Sequence, residues 1–187
     1  FFNFFIFICL IISAYEWMQM SKANIQKILG LVFIIISFYS IFKIRNDFNQ
    51  DYFHILLIAI ICVSTDTGGY IFGKLLKGPK LTKLSPNKTY SGVFGSFLLA
   101  IIITILFFEL TMKFHNFKFV LETFIFVLVV SLISQAGDII VSYFKRLSKI
   151  KDTGNIIPGH GGILDRIDGM IFAYPFSYII FLNWNFQ

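Results

Sequence analysis

The chain has 187 residues, of which 57% are hydrophobic and only 14% charged, with 25 phenylalanines and a formal net charge of +6. Soluble domains are about half apolar and about a quarter charged, so this composition excludes an ordinary soluble protein and makes lipid the main solvent. Cys9 and Cys62 both lie in apolar runs, away from any histidine or second cysteine at ligand spacing, which excludes a disulfide framework and a zinc site.

Six apolar segments follow one another along the chain. The first, residues 1–15, is short for a span of about twenty residues. It has neither a basic leading region nor a small-residue cleavage site, so it reads as the remainder of a longer helix rather than a signal peptide. The others cover residues 28–42, 52–73, 90–110, 119–144 and 163–184. Lipid cannot satisfy backbone polar groups, and the segments are too long for barrel strands, so each should be helical. The expected fold is all-α: a polytopic integral membrane bundle of about six transmembrane helices, forming one membrane-embedded domain over residues 1–187.

Orientation follows from the basic residues of the loops. The first, third and fifth loops hold eleven: Lys22, Lys27, Lys74, Lys77, Lys80, Lys83, Lys88, Lys145, Arg146, Lys149 and Lys151. The second and fourth hold four: Lys43, Arg45, Lys113 and Lys118. The odd loops should therefore face the cytoplasm, which makes the glycosylation-like triplet at Asn87 accidental. Asp66, Asp138 and Asp165 then sit toward the cytoplasmic ends of three different helices. An aspartate at a helix centre costs roughly 2.5–3.5 kcal/mol on insertion scales, so such residues face a cavity or a partner. His54 and His115 lie near the opposite face and read as structural.

Three stretches carry chemistry. In Ser64–Gly92, Asp66, Tyr70 and Gly73 share one helix face, and Gly69 with Gly73 permits close helix packing. Five lysines and two prolines follow, which suit either a semi-rigid cationic arm or plain positive-inside topology. In the fifth segment Ser131, Ser134, Gln135, Asp138, Ser142 and Lys145 recur at spacings of three and four, forming one polar stripe. That stripe is either a seam between helices or the wall of a water-filled, ion-handling cleft. In Gly159–Gly169, Asp165 and Asp168 share a face at i and i+3. Gly159, Gly161 and Gly162 precede a helix start and would let backbone N–H groups approach an anion. Paired carboxylates beside anion donors suit a divalent cation, Mg²⁺ by default, holding a phosphorylated substrate. The competing reading is a basic loop that binds lipid headgroups, although two carboxylates would repel such a surface.

Ser142-x-x-Lys145-Arg146, Lys151-Asp152 and Pro158-x-His160-Gly161-Gly162-x-x-Asp165-Arg166-x-Asp168 together resemble the signature of phosphatidate cytidylyltransferases, the CDP-diacylglycerol synthases. "DTGGYIFGK", "SPNKTYSG" and, more loosely, "YEWMQM" resemble the same family's upstream motifs, so the likeness covers nearly the whole chain. Ser91 stands where such proteins usually carry Glu, and further N-terminal helices are expected. The resemblance implies CTP and phosphatidic acid as substrates, membrane lipid as surroundings, Mg²⁺ as cofactor and no nucleic-acid partner; a homodimer is compatible with it.

On that footing Asp138 and Asp165 are assigned to metal first, and Asp168 and Asp66 second. Lys145, Arg146 and Lys88 are assigned to phosphates, Ser142 to orienting the metal-binding groups, and Lys151, Gly161, Gly162 and Arg166 to substrate. His160 is expected to touch a substrate phosphate rather than act as a base. Two alternatives stand: a related enzyme acting on an isoprenoid lipid, such as a lipid-alcohol kinase or CDP-archaeol-type synthase, and a cation-coupled transporter.

Overall fold

The computed structural model describes residues 1–48, 52–81, 88–111, 121–156, 159 and 161–183. Seven helices occur in these residues: α1 (Phe2–Met20), α2 (Asn24–Asp47), α3 (Phe53–Leu76), α4 (Tyr90–Thr111), α5 (Leu121–Leu147), α6 (Leu164–Ile167) and α7 (Met170–Asn183). The first five are long and apolar enough to cross a membrane. Together with α7 they make the all-helical membrane bundle expected from the sequence, and the chain is an integral membrane protein. At about 1.5 Å per residue α5 is about 40 Å long, more than the hydrocarbon core of about 30 Å, and Lys145 and Arg146 lie in its last turn.

The sixth segment departs from the expected single helix over 163–184. It divides into the one-turn α6 and the 14-residue α7. Asp168 Oδ1 accepts the N–H of Gly169 at 2.9 Å, drawing that donor out of the helical ladder. A Cβ on Gly169 would lie 2.4 Å from Ser134 Oγ, so the break is also where the chain presses closest to α5. The consequence is that Asp165 and Asp168 belong to a turn beneath α7 and not to a lipid-crossing helix.

Side chains sort by solvent as a membrane bundle requires. Ile34, Ile44, Leu57, Ile58, Ile61, Phe126, Val127 and Val130 are at most 1% exposed and form the centre of the core. Phe4, Phe5, Phe7, Leu29, Leu75, Leu110 and Leu132 point outward, where lipid rather than water would meet them. Association inside lipid depends on close packing and interhelical hydrogen bonds. Both occur here. Thr65 donates to Ser131 Oγ at 2.8 Å, Ser96 donates to the Thr65 carbonyl at 2.7 Å, and Tyr174 donates to the Ile55 carbonyl at 3.2 Å. α2 packs against α1 and α7, while α3 touches α2, α4, α5 and α7 and so stands at the middle of the bundle.

Candidate active site

Helices α3 and α4 approach backbone to backbone because glycines face each other across them. A Cβ on Gly68 would lie 2.5 Å from the Gly95 carbonyl oxygen, and one on Gly92 would lie 2.8 Å from that of Gly69. Beside this contact opens a cavity of about 270 Å³, lined by Asp66, Tyr70, Lys88, Gln135 and Asp138 with neighbouring small residues. The loop between α3 and α4 is closed at its base by a bridge between Lys80 and Thr89. Leu81 N–H donates to the Lys88 carbonyl at 2.7 Å and Tyr90 N–H to the Pro79 carbonyl at 3.0 Å. Thr89 then accepts the Gly92 N–H at 3.1 Å, capping α4.

This clamp delivers Lys88 to α5. Its Nζ stands 2.5 Å from Asp138 Oδ2 and donates to the Gln135 carbonyl at 3.3 Å. Ser142, one turn further along α5, donates to Asp138 Oδ1 at 3.4 Å. Ser91 accepts the Gly78 N–H at 3.2 Å and lies 3.0 Å from Thr89 Oγ1. The Ser91 hydroxyl thus braces the loop.

α5 ends by a Schellman closure. Lys149 adopts φ +59°, its N–H donates to the Arg146 carbonyl and Ile150 N–H donates to the Lys145 carbonyl, both at 3.0 Å. The chain therefore folds back across the end of α5. Lys145 Nζ meets Asp165 Oδ1 at 2.9 Å and Asp168 Oδ2 at 3.7 Å. The other Asp165 oxygen accepts Thr153 N–H at 2.8 Å and Gly162 N–H at 2.9 Å. Gly161, at φ +85°, has no room for a side chain: a Cβ there would lie 2.8 Å from Asp165 Oδ2.

Both turn aspartates lie outside the membrane-crossing helices, and their surroundings move them in opposite directions. Burial alone would raise the Asp165 carboxyl, but the Gly162 N–H, Lys145 and the Thr153 N–H together hold it below the usual carboxylate range. Asp168 is pushed up to about 8, first by burial and then by the negative charge of Asp138 and, more weakly, Asp66, against the pull of Lys145 and the Gly169 N–H. Asp66, Asp138 and Asp168 are thus within electrostatic reach of one another.

The residues singled out from the sequence fall into two adjoining groups and a rim. Asp66, Lys88 and Asp138, with Ser142 beside Asp138, surround the cavity; Lys145, Asp165 and Asp168 form the second group. Arg146, Lys151 and Arg166 are exposed around them. His160 and Pro158 lie outside the described residues. Gly162 N–H, expected to face a substrate anion, is taken by Asp165 instead. The polar stripe of α5 serves both readings. Ser131 and Ser134 form a seam with α3 and Gly169, while Gln135, Asp138, Ser142 and Lys145 face the charged groups.

Sequence reasoning missed Glu16. It is 1% exposed, in α1, and accepts hydrogen bonds from Thr153, Ile163 and Leu164. The signals were its place in "YEWMQM", the stretch loosely like a family motif, and its being a lone acid just past the first apolar segment.

A divalent cation fits this donor set. Asp66, Asp138 and Asp168 offer hard oxygens whose mutual repulsion a cation would relieve. Among the described residues no group of three or more acidic, histidine or cysteine side chains is placed to hold a metal ion by itself. An ion would take its remaining ligands from phosphate and water, which is the habit of Mg²⁺. Asp165 fits less well, because its two oxygens already accept three donors.

Comparison with known proteins adds an independent line. The pattern described as the Cytidylyltransferase family matches residues 1–184. A phosphatidate cytidylyltransferase of Rickettsia conorii (strain ATCC VR-613 / Malish 7) is 40% identical over 174 residues, covering 89% of this chain and 73% of that protein. Its counterpart in Rickettsia bellii (strain RML369-C) is 39% identical over 171 residues, covering 88% and 73%. One from Bacillus subtilis (strain 168) is 35% identical over 153 residues, covering 81% of this chain and 56% of its own length.

Proposed function

This chain belongs to the cytidylyltransferase family, and from that membership and the charges of its site we propose that it transfers CMP from CTP to phosphatidic acid, giving CDP-diacylglycerol and pyrophosphate. The observation that carries the reading is a pair of lysines fixed along one face of α5, Lys88 on Asp138 and Lys145 on Asp165 and Asp168. Cations immobilised by carboxylates are suited to receiving two polyanions that would otherwise repel each other.

In this reading a phosphate oxygen of phosphatidic acid attacks the α-phosphorus of CTP. The new P–O bond forms as the bond to the oxygen bridging the α- and β-phosphates breaks, and pyrophosphate leaves with that oxygen and its electron pair. The attacking phosphate monoester, with a second pKa of about 6, is already anionic at neutral pH, so no histidine base is required and His160 is assigned to phosphate contact. Lys88 and Lys145 neutralise the approaching phosphates, and Arg146 and Arg166 at the rim attract them. Mg²⁺, when bound, supplies further neutralisation of the triphosphate, and Asp138 and Asp168 with Asp66 are the residues that would hold it. Asp165 serves here to fix Lys145, Thr153 and Gly162.

We set this site at the cytoplasmic face, supported by the eleven basic residues of the odd loops against four in the even ones. The test is direct. Purified protein given CTP, Mg²⁺ and phosphatidic acid in mixed micelles should produce a lipid with the mass of CDP-diacylglycerol. Omission of phosphatidic acid should abolish it, and failure to form it with all components present would refute the proposal.

A further inference from the structure

Glu16 lies within the last two turns of α1 and is 1% exposed. A carboxylate in so apolar a helix is costly unless its oxygens find donors. Among the described residues, the donors it finds come from the far end of the chain. Oε1 accepts the Ile163 N–H at 3.0 Å, while Oε2 accepts the Leu164 N–H at 2.8 Å and the Thr153 hydroxyl at 3.1 Å. Two glycines make room for it: a Cβ on Gly154 would lie 2.8 Å from Oε1, and one on Gly162 2.4 Å from Oε2. Thr153 joins this contact to the charged cluster, since its N–H donates to Asp165 while its hydroxyl donates to Glu16.

We propose that Glu16 is a positioning residue for the transfer reaction, reaching from α1 to hold Thr153 and residues 162–164 so that Asp165 and Asp168 are presented to Lys145. The inference rests on the cytidylyl-transfer reading and adds α1 to the catalytic framework. Its chemistry is specific to a carboxylate. A glutamine has one acceptor oxygen, so its amide nitrogen must confront either the Ile163 N–H or the Leu164 N–H and Thr153 hydroxyl pair, donor against donor. Each hydrogen bond to a charged acceptor is worth about tenfold to 150-fold in the equilibrium between held and released turn. A misplacement of about 1 Å at a reacting centre costs about a hundredfold in rate.

The experiment compares wild type, Glu16→Gln and Thr153→Val in proteoliposomes, by hydrogen exchange and by steady-state kinetics with CTP and phosphatidic acid. In Glu16→Gln the amides of residues 162–165 should exchange at least tenfold faster with α3 and α4 unchanged. Its kcat should fall about tenfold to hundredfold, with KM for CTP within threefold. Thr153→Val, which removes one of the three donors, should show the same pattern more weakly. Unchanged exchange in Glu16→Gln, faster exchange throughout the bundle, or a raised KM with kcat retained would each overturn the proposal. Lack of turnover in the wild type would refute the cytidylyl-transfer reading instead, and the exchange measurement would still decide whether Glu16 holds the turn.

Discussion

Replacing Asp165 by asparagine separates the two jobs a carboxylate could do at this turn. The aspartate accepts Lys145 on one oxygen and two backbone N–H groups on the other. Asparagine keeps one acceptor, which can go on serving Thr153 and Gly162, but it turns an amide nitrogen toward the Lys145 ammonium. The interaction lost is one charge-assisted hydrogen bond in a mostly buried pair, worth about 1.5–3 kcal/mol. If that alignment is needed for turnover, kcat should fall about tenfold to 150-fold. Asp165→Ala should be worse, since it also orphans two backbone donors at about 1–3 kcal/mol each. The assay is incorporation of labelled CTP into extractable lipid by purified variants, beside their thermal unfolding. Asp165→Asn with activity within threefold of wild type, or Asp165→Ala no worse than Asp165→Asn, would refute the reasoning.

Chelation with EDTA should abolish turnover and Mg²⁺ should restore it; Asp168→Asn should need clearly more Mg²⁺ for half-maximal activity, whereas an unchanged requirement would remove Asp168 from the metal set. Gly92→Ala places a methyl 2.8 Å from the Gly69 carbonyl oxygen, so α3 and α4 must separate. Thermal unfolding should report a loss of about 1–3 kcal/mol, the usual cost of overpacking. Cysteines placed at Lys80 and Lys149, in a protein lacking Cys9 and Cys62, should resist an impermeant thiol reagent in intact cells and react after lysis; labelling before lysis would reverse the orientation.

The bundle was legible because lipid imposes a simple rule: apolar runs of spanning length become helices, and five of the six segments did so with ends shifted by a few residues. Gly69 and Gly73 announced the α3–α4 contact because small residues permit backbone approach. The sixth segment misled. Hydropathy runs straight through Asp168 and Gly169, whereas the helix breaks there through a side chain capturing the next N–H, an event decided by local hydrogen bonding. The turn glycines also misled in part. Their spacing suggested open donors for a substrate anion, but Asp165 and Glu16 occupy the N–H groups of residues 162–164. Glu16 could not be placed from sequence, since its partners lie more than 130 residues away. Only tertiary packing brings the end of α1 against Thr153, Ile163 and Leu164.

The most direct measurement of the central claim uses two forms of CTP in parallel, one labelled at the α-phosphate and the other at the γ-phosphate, each with phosphatidic acid and the purified chain. Cytidylyl transfer predicts α-label in the extracted lipid, γ-label in free pyrophosphate, and one pyrophosphate released per CDP-lipid formed. Transfer of γ-label to lipid would identify a kinase, and α-label that never enters lipid would contradict the account altogether.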